Sequence, residues 1–106
     1  MREYIVYVCA MKYDSFFGSV ERDLMSAPII ERTYTDKQDA MDDYELTKDV
    51  PRDLYHTAKA CGHKPEGYMA ELVCIQDEDI CGFLDNEILC HDEYTTEDYE
   101  LYLSTL

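Results

Sequence analysis

Residues 77–88, Asp-Glu-Asp-Ile-Cys-Gly-Phe-Leu-Asp-Asn-Glu-Ile, gather carboxylates at nearly the spacing of a calcium loop. Asp77, Asp79 and Gly82 stand at the first, third and sixth positions of an EF-hand loop. The match ends there. Cys81 holds the fifth position, where a hard cation needs oxygen. Ile88 holds the twelfth, where a bidentate Glu belongs, and Glu87 comes one place early. The flanks read as strands rather than helices. Such a cluster attracts divalent cations loosely through its charge, so a metal-binding domain is the third reading of this chain. Cys61 and His63, then Cys90 and His91, offer four zinc ligands, but C-x-H and C-H are not the spacings of structural zinc sites. On a strand, Cys90 and His91 point to opposite faces.

Nucleophilic chemistry has candidates as well. His56, His63 and His91 are possible bases, and Cys9, Cys61, Cys74, Cys81 and Cys90 are possible nucleophiles. A reactive thiol needs an electropositive setting. Cys74, Cys81 and Cys90 sit instead among carboxylates, which favour the neutral thiol. There is no Gly-rich phosphate loop and no G-x-S-x-G. The chain is therefore expected not to be an enzyme, with no catalytic residue, cofactor or metal ligand assigned. The odd number of cysteines and the absence of a secretory pattern predict reduced thiols.

The strongest signal is charge. Of 106 residues, 24 are acidic and 9 are Lys or Arg, for a net charge of −15. After Lys64 there is no Lys or Arg at all, only carboxylates. Direct binding to nucleic acid or to an anionic membrane is excluded on this ground, because phosphate contacts need basic side chains. An apolar fraction of 46% is enough for a packed core, so acidity does not mean disorder. The apolar run from Tyr4 to Met11 follows Arg2, but Glu3 interrupts the basic flank and no small-residue cleavage pattern follows. It reads as a strand, and a cytoplasmic protein is expected.

The elements that position these groups follow from the pattern. Residues 3–13 predict a central strand, apolar on both faces. Residues 14–27 predict a connection, with one ring of Phe16 and Phe17 tucked beneath it. Residues 29–34 predict a second strand. Thr35 and Gln38 form a capping box for a helix to about Lys48, with Ala40, Met41 and Tyr44 on its apolar stripe. Pro51 starts a second helix or a break; Leu54, Tyr55, Ala58 and Cys61 recur at three and four residues, and Gly62 is the expected stop. Residues 68–76 predict a strand. Residues 80–84 and 87–91 predict two short strands turning at Asp85-Asn86, and Thr95 or Thr96 caps a last helix. The sum is a single α+β domain, residues 1–106, with a mostly antiparallel sheet of four to five strands and two to three helices.

The acids fall on these elements in sets. Asp77, Glu78, Asp79, Asp85, Glu87, Asp92, Glu93, Glu97, Asp98 and Glu100 are the expected partner-binding residues, with Asp42, Asp43 and Glu45 next. Tyr44, Tyr55, Tyr94, Tyr99 and Tyr102 lie between them and add amphipathic contact area. DNA presents about one negative charge per 1.7 Å of axis, and carboxylates held on helices and strands can imitate that lattice. In size, charge and compactness the chain resembles the small acidic inhibitors of phages and mobile elements. Those include DNA mimics that block restriction enzymes and anti-CRISPR proteins. The resemblance rests on no motif and carries no residue across. It implies an inhibitor that occludes a basic nucleic-acid-binding surface of a nuclease or similar effector. The alternative is a protein-interaction adaptor with a solvated acidic surface, for which an exposed Phe16–Phe17 pair is the marker. A tyrosine-rich face is also compatible with a homodimer.

Overall fold

The computed structural model describes residues 2–76 and 86–106. Among them the chain forms an α+β fold, a five-stranded antiparallel sheet with three helices. Strand β1 (Arg2–Asp14) is its axis. One edge of β1 pairs with the whole length of β4 (Gly67–Gln76), from Arg2↔Gln76 to Met11↔Gly67. The other edge is shared. β3 (Ile30–Tyr34) takes Tyr4 to Val8, and β2 (Ser19–Arg22) takes Met11 to Asp14. Across the gap, Asp23 and Ile29 donate backbone N–H groups to Ala10 and Val8, so the ladder on β1 stays satisfied. β5 (Asn86–Thr95) pairs with β4 and is the last strand on that side among the described residues.

Alternation along β1 and β4 divides the apolar residues between two faces. Tyr4, Val6, Val8, Ala70, Leu72 and Cys74 point to the face covered by α1 (Lys37–Thr47) and α2 (Val50–Ala60), where Ala40 and Tyr44 complete the core. Val6, Val8 and Leu72 have no exposed surface. Burial on this scale is worth about 1.5–3 kcal/mol per side chain. The opposite face carries a second cluster, Tyr7, Cys9, Met11, Met69 and Val73, flanked by Ile5, Val20 and Ile75, all of them strand residues. The free thiols Cys9 and Cys74 are thus buried one on each face.

Several expectations are corrected. The connection 14–27 contains β2, because Ser19–Arg22 finds a ladder on the projecting end of β1 that a four-residue segment with one apolar side chain does not advertise. Asp36, not Thr35, caps α1, its carboxylate accepting from the N–H groups of Gln38 and Asp39 at 2.8 and 3.1 Å. Gln38 bonds Asp42 instead of closing a box. Asn86 lies inside β5 opposite Ile75, and β5 runs on to Thr95, so the ladder partner of residues 87–91 is β4. The strand expected over 80–84 lies outside the described residues. Helix α2 ends as expected: Gly62 takes φ +84°, the left-handed conformation that halts a helix. Helix α3 (Thr96–Ser104) starts at Thr95, whose N–H donates to the Asp98 carboxylate at 2.8 Å. No residue of α3 is buried. Among the described residues, no helix is long and apolar enough to cross a membrane.

Candidate protein interface: an acidic groove beside an apolar hairpin tip

The end of the sheet where β2 and β5 approach each other carries an open groove of about 620 Å³. Tyr13, Ser19 and Val20 of the β1–β2 hairpin form one wall, and Glu93, Glu97 and Asp98 of the β5–α3 junction form the other. No Lys or Arg lines it. Glu66, just ahead of β4, accepts the backbone N–H of Tyr13 and ties the hairpin to this end of the sheet. At the start of β4 the strands pack closely. A Cβ on Gly67 would stand 3.1 Å from the Tyr94 carbonyl oxygen and 3.4 Å from the Met11 sulfur.

The sequence-predicted acids divide into exposed and engaged groups. Glu87, Glu93, Glu97 and Glu100 are exposed on β5 and α3, and Asp42 and Glu45 on α1. Glu45 pairs with Lys48 at 2.9 Å. Asp43 turns inward with its side chain only 13% exposed. Arg32 donates to it through Nε at 2.7 Å and Nη2 at 2.8 Å, and the Tyr34 hydroxyl donates at 2.6 Å. Burial pushes the Asp43 carboxyl up, but the Arg32 and Tyr34 hydrogen bonds and the Arg32 charge outweigh it and hold the group below the usual carboxylate range. Asp92 accepts from the buried Tyr44 hydroxyl, and Asp98 is engaged at the start of α3. Asp77, Glu78, Asp79 and Asp85 lie outside the described residues.

A row of polar groups crosses the second face of the sheet, and the sequence reading misses it. Tyr7 is paired in register with Glu71, and Glu71 with His91. The Tyr7 hydroxyl donates to Glu71, and His91 Nδ1 lies 2.8 Å from the other Glu71 oxygen. Glu71 is 7% exposed, a buried carboxylate held between two partners. Burial, then the hydrogen bond and charge of Glu71, push the Tyr7 hydroxyl far up from its ordinary value. The Arg22 guanidinium sits 4.7 Å from the centre of the Tyr7 ring. The signal was available, since Glu71 is the one charged residue in the apolar run from Tyr68 to Ile75. Its role depended on a register that the run does not encode.

Tyrosines gather where α3 meets the rest of the fold. The His56 ring lies 4.8–5.4 Å from those of Tyr94, Tyr99 and Tyr102, and Tyr55 packs 5.3 and 5.4 Å from Tyr99 and Tyr94. His56 Nε2 and the Tyr94 hydroxyl are 3.0 Å apart. These contacts, with the Tyr55 hydroxyl donating to Thr96 at 3.0 Å, hold the acidic helix in place. The tyrosines expected to lie between acids at an interface thus do structural work first.

The hairpin tip overturns one expectation. Neither ring is tucked under the loop: Phe16 is 88% exposed and Phe17 68%. The loop is too short to fold back, because the Gly18 N–H closes on the Asp14 carbonyl at 2.8 Å and the Asp14 carboxylate takes the Phe16 N–H at 2.8 Å. Both rings are left pointing outward, edge to face at 5.1 Å.

The zinc candidates are not brought together around a common centre. Cys61 is exposed at the end of α2, Cys90 packs against the helix-covered core, and His91 is bonded to Glu71 on the other face. Among the described residues, no group of three or more His, Cys, Asp or Glu side chains is placed to hold a metal ion. Comparison of the chain with protein-family models, with curated proteins and with solved structures finds no match.

Proposed function

We propose that this chain is a non-catalytic inhibitor that occludes the basic, nucleic-acid-binding surface of a partner protein, such as a nuclease or similar effector. The observation that carries this reading is the base-free acidic groove at the β5–α3 junction. Its carboxylates sit on a strand and a helix, and a capped helix start fixes their spacing. Arg and Lys of a partner would meet them in charge-assisted hydrogen bonds. The net charge of −15 would speed encounter at low salt. Acting as a DNA mimic, it would need no active site of its own. The same reading puts the inhibitor in the cytoplasm, in the compartment of its proposed target.

The test is capture of partners from bacterial lysate on the immobilised chain, with and without excess duplex DNA, at low and high salt. A nucleic-acid enzyme released by both DNA and salt supports the reading. A partner that resists both would sink it. That second result would favour an adaptor instead, a reading that the exposed Phe16–Phe17 pair supports independently.

A further inference from the structure

Two loops at one end of the molecule expose large apolar side chains that the fold does not use. Phe16 and Phe17 lie at the tip of the β1–β2 hairpin, and Leu24 and Met25, 82% and 95% exposed, lie just after β2. Single exposed hydrophobes are ordinary; several in one patch mark an interaction surface. The two loops are neighbours, since Phe17 and Leu24 line one hollow of about 280 Å³. Both are also held in shape. Asp14 accepts from the backbone of the first loop, as described. Asp23 does the same in the second, taking the Met25 N–H at 3.0 Å and the Ser26 hydroxyl at 2.9 Å. These bonds to Ser26 and Met25 hold the Asp23 carboxyl below its ordinary value, so it stays ionised and bonded. A preordered loop loses little entropy on docking, and aromatic side chains are the favoured anchors of interfaces.

We propose that this tip is an apolar anchor that inserts into a hydrophobic pocket lying beside a basic surface on a partner protein. The inference rests on the occlusion reading above and adds to it the second half of the partner's chemistry. Tyr13 makes the connection: half exposed, it lines both the acidic groove and a hollow next to Leu24 and Met25, in which Lys12 and Arg22 stand beside Asp14 and Asp23. A partner seated on the tip therefore reaches Glu93 and Glu97 with its neighbouring side chains. Charge also selects the occupant. A second copy of a chain carrying −15 would set like charge against like. An anionic bilayer would be repelled for the same reason. A basic protein surface is the occupant that this charge favours.

Two synthetic peptides of equal positive charge test it, one alternating Arg with Leu and one alternating Arg with Ser. They are titrated against the wild-type chain, against F16S/F17S and against E93K/E97K. All four positions are exposed, and circular dichroism checks that each variant is folded. The Arg–Leu peptide should bind the wild type about tenfold tighter than the Arg–Ser peptide, the loss expected for truncating one good anchor. F16S/F17S should erase that difference and keep Arg–Ser binding, while E93K/E97K should weaken both. Equal binding of the two peptides to the wild type would overturn the anchor and leave the acidic reading standing. Binding of neither at low salt would overturn the acidic reading itself. A concentration-dependent dimer in sedimentation equilibrium, abolished in F16S/F17S, would assign the tip to a second copy and overturn the proposal.

Discussion

Tyr7 and Glu71 face each other across the central strand pair, and the Tyr7 hydroxyl donates to a carboxylate that is 7% exposed. A buried charge is tolerated only where hydrogen bonds replace its water, and Glu71 has Tyr7 on one oxygen and His91 on the other. Y7F keeps the ring and removes the donor. It should cost about 1–3 kcal/mol, the penalty for an unsatisfied buried group. Urea denaturation of the two proteins measures it. Equal midpoints would mean that water reaches Glu71 and replaces the hydroxyl.

Asp43 gives the fold a pH-dependent tie. Its pKa is lowered in the folded state, so the stability it contributes is fully present above the unfolded carboxylate value of about 3.9 and is lost as pH falls through the lower folded value. D43N keeps the shape and loses the charge opposite Arg32. The stability gap between wild type and D43N should be constant from neutral pH down to about pH 5 and should close below about pH 4. Melting temperatures of both proteins across that range check it. A gap that persists in acid would place the contribution in packing rather than in the ion pair.

Gly67 is required for space, not for an unusual backbone angle. A methyl group there meets the Tyr94 carbonyl oxygen at 3.1 Å, and backbone in a strand ladder yields little. G67A should destabilise by about 1–3 kcal/mol, as overpacking does. Because Tyr94 and Thr95 lead into α3, the same change should loosen that helix, seen as faster amide exchange at Thr96 to Tyr99. Unchanged exchange with a lowered melting temperature would confine the strain to the strands.

Thiol reactivity should follow burial. Cys61 is exposed, while Cys90 is half-buried and Cys9 fully buried. Burial pushes both the Cys90 and the Cys9 thiol up, and Asp92 and Glu45 push Cys90 further. Of Cys61, Cys90 and Cys9, iodoacetamide at mildly alkaline pH should therefore alkylate Cys61 first, Cys90 more slowly and Cys9 only on unfolding, because the thiolate is the nucleophile. Peptide mass mapping over time reads the order. Early labelling of Cys9 would show that the second face of the sheet opens readily.

Much of this molecule was legible as pattern. The β-branched and aromatic run of β1, the Pro51 start and Gly62 stop of α2 and the Thr95 start of α3 are local rules, written within a few residues of where they act. The charge asymmetry is likewise a property of composition, and it restricts the kind of partner before any fold is known. What the tertiary structure decided is pairing. β2 exists because β1 overhangs β3 and offers it a ladder. Asp43 and Asp92 look like surface acids in the sequence, yet Arg32 and Tyr44 engage them from other elements of the fold. Glu71 is a lone charge in an apolar run, and only the register sets it between Tyr7 and His91. The physical reason is common to all of them. Helix caps and strand propensities are fixed by neighbours in the chain, whereas strand register and charge pairing depend on residues brought together from distant parts of it.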